Sequence, residues 1–72
     1  MTYETSDINH AAVLKTFGQK MTGMQKGYKC SFVFSEPKKC ENIVMRFINN
    51  DLVGDIRKFI QEKDELMSLV KQ

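Results

Sequence analysis

The sequence predicts a small α+β domain with the order helix, β-hairpin, long helix (αββα), in which two helices pack on one face of a two-stranded antiparallel ribbon. The first observation is the apolar spacing i, i+3, i+4, i+7 in residues 52–70, which is typical of an amphipathic helix. The second is a similar helical pattern in residues 8–24. The third is the alternation of apolar and polar residues in 28–34, which indicates a half-buried strand.

The chain has 72 residues, so we expect residues 1–72 to form a single domain with a small core. Residues 1–6 are polar and predict a flexible lead-in, after which Ser6, Asp7 or Asn9 can cap the first helix. Gly18 lies inside that helix, while Gly23 and Gly27 act as stop signals near its end.

Residues 36–49 allow two interpretations. In the preferred one, residues 35–39 form a turn and 43–48 form the second strand of the hairpin, because an unpaired strand at 28–34 is a liability. In the alternative, αβαα, residues 36–49 are a helix with Ser35 as N-cap and Pro37 in the first turn.

The final helix is predicted to begin at a cap at Asn50 or Asp51. Gly54 then falls in its first turn, where glycine is unusual, and we expect a close contact there. Together the periodic patterns predict a core formed by Val13, Phe17, Met21, Cys30, Phe32, Phe34, Ile43, Met45, Phe47, Ile56, Phe59, Ile60 and Met67.

The composition argues against several function classes. His10 is the only histidine, and Cys30 and Cys40 do not have the spacing of a metal or redox motif. No glycine-rich phosphate loop and no convincing pair of catalytic carboxylates is present, so we predict a protein that is not an enzyme and needs no cofactor. No apolar run approaches membrane-spanning length, and no signal peptide precedes the cysteines, which predicts an intracellular, cytoplasmic protein without a membrane partner.

Charge is concentrated in the middle of the chain. The net charge is only +2, but residues 15–46 contain seven cations against two carboxylates, a local charge of +5. In the hairpin interpretation, several of these cations and one aromatic residue converge on one face and the tip of the ribbon. The candidate partner-binding residues are Lys26, Tyr28, Lys29, Lys38, Lys39 and Arg46.

These observations predict a small non-enzymatic binding protein, a regulator or inhibitor that acts by stoichiometric contact through the basic ribbon surface. An acidic protein surface is the first choice of partner, because +2 is low for a DNA-binding protein, and nucleic acid is the second. The chain itself is expected to be a monomer or a homodimer. In its topology, the hairpin interpretation is similar to phage head–tail joining proteins, a likeness that does not fix a function.

The helical interpretation of 36–49 gives a different hypothesis. A strand followed by two helices over residues 28–70 resembles the ribbon-helix-helix repressors. That resemblance implies a dimer in which two chains pair their strands and present Lys29, Ser31 and Val33 to the major groove of DNA.

Overall fold

A computed structural model describes residues 1–71 and contains a three-stranded antiparallel sheet and three helices. The predicted α+β class is confirmed, but the arrangement and the number of strands differ from the prediction. The elements in chain order are β1 (Tyr3–Thr5), α1 (Ile8–Thr16), β2 (Met21–Gln25), β3 (Ser31–Phe34), α2 (Pro37–Ile48) and α3 (Ile56–Val70).

The sheet has the strand order β1-β3-β2, so β3 is its central strand. Phe34 is paired with Tyr3 of β1 on one side and with Met21 of β2 on the other. The buried side chains Phe32 and Phe34 point to the helices, as period two requires. The polar lead-in at residues 1–6 therefore contains a strand, because β3 has a free edge that residues 3–5 occupy.

The first helix ends well before Met24, where the sequence pattern predicted its end. Gly18 adopts φ +86°, and its amide donates to the carbonyl of Lys15 at 3.1 Å. The amide of Gln19 donates to the carbonyl of Leu14 at 3.0 Å. These two bonds form a Schellman motif, which satisfies the last carbonyls of α1 and turns the chain away.

The strand β2 occupies residues for which the sequence pattern predicts a helix. A β-bulge is the reason for this difference. In a regular strand, residues three apart point to opposite faces. The register shifts between Met21 and Gly23, and the extra residue brings Met21 and Met24 to the same side, opposite Phe34 and Phe32. The bulge thus gives a strand the i, i+3 spacing of a helix.

Pro37–Ile48 is helical, so the hairpin interpretation with a strand at 43–48 is wrong and the helical alternative is correct for this segment. The expected N-cap is wrong, because Glu36 and not Ser35 precedes the helix, and no side chain of residues 1–71 caps it. The strand β3 needs no partner from residues 43–48, because β1 and β2 pair with it on both sides. Pro37 occupies the start of α2, where its missing N–H costs nothing.

A second Schellman motif ends α2. Asn50 has φ +58°, its amide donates to Phe47 at 3.2 Å, and the amide of Asp51 donates to the carbonyl of Arg46 at 2.8 Å. Asparagine tolerates this left-handed conformation better than most residues. The tight junction between the two successive helices is therefore accommodated, and residues 51–55 lead into α3.

The centre of the molecule is α1, in which four successive residues, Ala11–Leu14, are buried. A helix that is buried on all sides needs no polar face. The buried cluster consists of Ala11, Ala12, Leu14, Phe32, Phe34, Cys40, Val44 and Leu66.

The expected core is found only in part. Val13, Phe32 and Phe34 are buried. A second group, Met21, Cys30, Ile43 and Phe59, is half-buried. The remaining expected core residues are substantially exposed, and they are Phe17, Met45, Phe47, Ile56, Ile60 and Met67.

The last helix begins at Ile56, later than the sequence pattern indicated, because the side chain of Asp55 caps it by accepting the amide of Lys58 at 3.2 Å. It packs mainly on α1. Lys15 of α1 lies 3.2 Å from Glu62 and 3.5 Å from Glu65. Within residues 1–71, no helix combines the length and apolarity needed to cross a membrane.

Candidate functional site

The six candidate partner-binding residues fall into three separate places. Lys26, Tyr28 and Lys29 lie in the loop that connects β2 to β3, which we call the hairpin loop (residues 26–30). Lys38 and Lys39 lie in the first turn of α2, beyond the other end of β3, and Arg46 lies in the last turn of the same helix. Four residues of strand at about 3.3 Å each separate these two positions, a span of roughly 13 Å. The structure therefore divides the basic segment between two ends of the sheet.

The hairpin loop exposes its side chains. Tyr28 is 102% exposed, and Lys26 and Lys29 are also exposed. The loop follows the last residue pair of the ladder, Gln25 with Ser31, and carries two cations within four residues of sequence. It therefore exposes an aromatic residue flanked in sequence by two lysines, a combination that can contact carboxylates, phosphates or another ring.

The cations of α2 have local partners. Lys39 lies 3.5 Å from Glu36 in an exposed ion pair at the start of the helix. The guanidinium of Arg46 donates to the carbonyl oxygen of Asp51 at 3.3 Å. Arg46 thus supports the turn that follows α2, a structural role that explains it without a ligand.

His10 is held by structural contacts. Its Nε2 lies 3.8 Å from Oδ2 of Asp7, and its ring meets the ring of Phe47 edge-on at a centroid distance of 5.7 Å. The other carboxylate oxygen of Asp7 accepts the amides of Asn9 and His10 as the cap of α1. The histidine therefore lies on the surface of the core between α1 and α2.

The thiol of Cys40 has no features of a nucleophile. It is fully buried, and burial is the main cause that raises its pKa above the ordinary value of 9.0. Its Sγ donates to Oε1 of Gln19 at 3.9 Å. Both cysteines are free thiols. Among residues 1–71, no three His, Cys, Asp or Glu side chains lie close enough to hold a metal ion.

An apolar groove is the feature that the sequence did not predict. It lies where the C-terminal ends of α1 and α2 approach the N-terminal end of α3, and it has a volume of about 150 Å³. Phe17, Phe47 and Ile56 are exposed at its walls, although the sequence pattern had assigned them to the core. The groove is lined by Val13, Thr16, Phe17, Phe47, Leu52, Gly54, Asp55, Ile56 and Phe59.

Gly54 sets the width of this groove. A Cβ atom at this position would lie 2.8 Å from Cζ of Phe17, which is closer than carbon atoms approach each other without displacement. The close contact expected at Gly54 is therefore confirmed, although the residue precedes α3. The unusual glycine was the signal in the sequence that pointed to this region.

The match to a sequence family covers almost the whole chain, because the family model spans residues 1–70. The protein belongs to the family described as Domain of unknown function (DUF5659). No curated protein and no solved structure matches the chain. The family model thus spans every element from β1 to α3, and its description assigns no activity.

Proposed function

We propose that this protein is a non-enzymatic binding protein that acts as a regulator or inhibitor by stoichiometric contact with an acidic surface of another protein. The contact is made through the hairpin loop, with Tyr28 at its centre and Lys26 and Lys29 on either side. Lys38, Lys39 and Arg46, which the sequence grouped with them, are removed from this surface by the fold.

The complete exposure of Tyr28 is the observation that supports this proposal. An aromatic ring in water forgoes the favourable free energy of burial, and tyrosine is enriched at the centres of protein interfaces. The two lysines beside the ring favour a partner of negative charge and increase its rate of association. The strand pair Gln25 and Ser31 anchors both ends of the loop, which limits the entropy lost on binding.

A dimeric repressor that pairs its strands with a second chain has less support. The strand that would have to pair, β3, is hydrogen-bonded to β1 on one side and β2 on the other. Lys29 precedes β3 in the loop, and Val33 lies within the sheet opposite Glu4 and Gly23. Pairing β3 with another chain would first require one of these neighbours to leave.

The proposal is tested by capture from a lysate of the native host, with partners measured by quantitative mass spectrometry. Tyr28→Ala and Lys29→Glu are expected to lose the same acidic protein, because one removes the ring and the other reverses a neighbouring charge. The matched control is Lys38→Glu, which makes the same charge change on another exposed lysine and is expected to keep that partner.

Two results would contradict the proposal. If Tyr28→Ala and Lys29→Glu both retain every partner that the unmodified chain captures, the hairpin loop is not the binding surface. If the purified chain binds random DNA with a steep salt dependence, and Lys29→Glu abolishes that binding, the acidic partner is nucleic acid.

A further inference from the structure

A second apolar stripe runs along α3 beside the one that packs on α1. The packed stripe is half-buried or buried and consists of Phe59, Glu62, Leu66 and Leu69. The second stripe, which we call the outer stripe, repeats with spacings of four, three, four and three residues. It consists of Ile56, Ile60, Lys63, Met67 and Val70.

The outer stripe has the spacing of a coiled-coil seam. Alternation of three and four residues keeps side chains on one line along a helix and is the pattern by which two helices pack together. Ile56 is 75% exposed and Ile60 is 53% exposed, and Met67 and Val70 are exposed to a smaller degree. The stripe is therefore apolar at four of its five positions, and those four side chains are at least one-third exposed in the described part of the chain.

The exposed apolar area is large for a single small domain. The outer stripe is continuous at Ile56 with the apolar groove, and Val53 beside it is 91% exposed. The exposed parts of Ile56, Ile60, Met67, Val70 and Val53 amount to an area on the order of 600 Å², if a large residue offers about 200 Å². This area lies at the upper end of the largest apolar patches on monomers and somewhat below the ~800 Å² per partner of a standard interface, as a reversible dimer requires.

We propose that a second copy of this chain covers the outer stripe, with the two α3 helices antiparallel about a two-fold axis. In this arrangement the centre of one stripe meets the centre of the other, so Ile60 packs beside Lys63 of the second copy and Ile56 packs beside its Met67. The interface is isologous, and the groove lies at its edge.

The charges beside the stripe fit the antiparallel direction. Arg57 and Asp64 lie seven residues apart on the side of α3 that faces away from α1, next to the outer stripe. Neither makes an ion pair in the part of the chain that the structure describes. In an antiparallel dimer, Arg57 of each copy meets Asp64 of the other, and two opposite-charge pairs form at once.

Lys63 limits the strength of this dimer. It occupies the middle of the stripe and is half-buried, so its stem extends the apolar line while its ammonium group must remain near water. A polar residue at one seam position fixes register and partner number at a cost in affinity. We therefore expect a reversible dimer whose population depends on concentration.

Sedimentation equilibrium of the full chain over a wide concentration range tests the proposal. The unmodified chain is expected to show a monomer–dimer equilibrium. Ile60→Glu is expected to shift it to monomer, because it places a charge in the seam, and Lys63→Leu is expected to tighten the dimer about tenfold or more. The matched control is Ile48→Glu on α2, because Ile48 is 54% exposed and lies outside the stripe.

Charge exchange tests the antiparallel direction separately. Arg57→Glu and Asp64→Arg alone are each expected to weaken the dimer about tenfold, because like charges then face each other. The double variant restores opposite signs and is expected to recover most of the lost affinity. The circular dichroism of each variant at low concentration shows whether its fold is kept.

The proposal is overturned if the unmodified chain stays monomeric at millimolar concentration. It is also overturned if a dimer forms but tolerates Ile60→Glu, or if Ile48→Glu breaks it equally. A double charge variant that is no tighter than the single variants excludes the antiparallel arrangement. None of the substituted residues lies in the hairpin loop, so a negative result leaves the proposed binding function standing.

Discussion

The two helices that contact each other most closely, α1 and α3, differ in how they are buried. The short helix α1 has four successive buried residues and almost no polar face. The longer helix α3 has the clearer amphipathic pattern in the sequence, yet Leu66 is its only fully buried residue within the described chain. Strong amphipathicity therefore marks the helix at the periphery, and the central helix carries little of that signal.

The difference has a geometric cause. The sheet, α2 and α3 all contact α1, so side chains on every side of it meet protein. By contrast, α3 packs mainly on α1 and leaves the opposite side in water. We infer that α1 and β3 hold the fold together, while α3 and the hairpin loop supply surface.

The largest expected effect comes from breaking the central helix. Leu14 is 0% exposed, so Leu14→Ala leaves a cavity and is expected to lower the free energy of unfolding by about 3–5 kcal/mol. In a domain of this size that loss unfolds much of the population. Ile60→Ala on α3 removes a similar volume from an exposed position and is expected to cost less than about 1 kcal/mol.

Urea unfolding followed by circular dichroism measures both changes, at a concentration low enough to keep the chain monomeric. If Ile60→Ala cost as much as Leu14→Ala under those conditions, the outer stripe would be part of the core of the monomer. The contrast between the two helices would then be wrong.

The sequence predicted the elements whose pattern is set by one face. The strand predicted at 28–34 is present over Ser31–Phe34, and the final helix is present over Ile56–Val70. Asp7, one of the three caps considered, caps α1. Element ends were less predictable. The helical pattern places Gly18 inside the first helix, whereas in the structure its positive φ ends α1. A glycine allows this left-handed conformation, and the tertiary context decides as much as the residue whether it is adopted.

Two strands were missed because neither has a strand pattern of its own. With only three residues, β1 is too short for alternation to be visible. In β2 a bulge imitates helical spacing. Without these strands, the partner of β3 had to be sought in residues 43–48, and one missing pairing produced the wrong assignment of α2.

The candidate site was predicted in part for the same reason. The sequence located Lys26, Tyr28 and Lys29 correctly as neighbours, since they share one loop. It also placed Lys38 and Lys39 beside them, which depended on the incorrect hairpin. The groove at Phe17 and Phe47 was not predicted, because an apolar residue at helical spacing gives the same pattern whether its face is covered or open.

The next largest effect concerns the ion pairs that join the two helices. Lys15 is 21% exposed and Glu62 18%, so this pair is largely removed from water. Glu62→Gln is expected to cost about 1–2 kcal/mol, because Lys15 then keeps only the longer contact to Glu65. The control Lys39→Gln breaks an exposed pair and is expected to cost less than about 0.5 kcal/mol.

Thermal unfolding at low and at high salt measures these two variants. The loss of stability in Glu62→Gln is expected to persist in high salt, because salt screens a largely buried ion pair only weakly. Equal losses for Glu62→Gln and Lys39→Gln would show that Lys15 does not fasten α3 to α1.

A smaller difference is expected between the helix caps. Asp7 accepts two amides, at 2.8 and 3.3 Å, whereas Asp55 accepts one at 3.2 Å. We expect Asp7→Ala to cost about 1–2 kcal/mol and Asp55→Ala about 0.5–1 kcal/mol. Amide hydrogen exchange is expected to increase locally at Lys58 in the second variant, because only the first turn of α3 frays. Asp→Asn at either position keeps the cap and serves as the control.

The smallest effect is a loss of stability at alkaline pH that originates in the core beside α1. Burial raises the pKa of the Cys40 thiol above 9.0, and it is also the first cause of the raised pKa of Tyr3, whose ordinary value is 10.0. The folded chain keeps the thiol neutral at a pH at which the unfolded chain ionises it. The stability that the neutral thiol contributes to the folded chain is therefore complete below pH 9.0, and it is lost as the pH rises through the folded-state pKa of Cys40.

Urea unfolding of the unmodified chain and of Cys40→Ala, repeated from pH 7 to pH 10, separates this contribution from the cavity that the substitution creates. The cavity lowers the stability of the variant equally at every pH, so only the slope between pH 8.5 and pH 10 reports the thiol. We expect Cys40→Ala to flatten that slope, leaving the part that belongs to Tyr3. If the free energy of unfolding fell with pH at the same slope in both proteins, the Cys40 thiol would ionise as readily in the folded chain as in the unfolded one. The core beside α1 would then be open to water, as the outer side of α3 is.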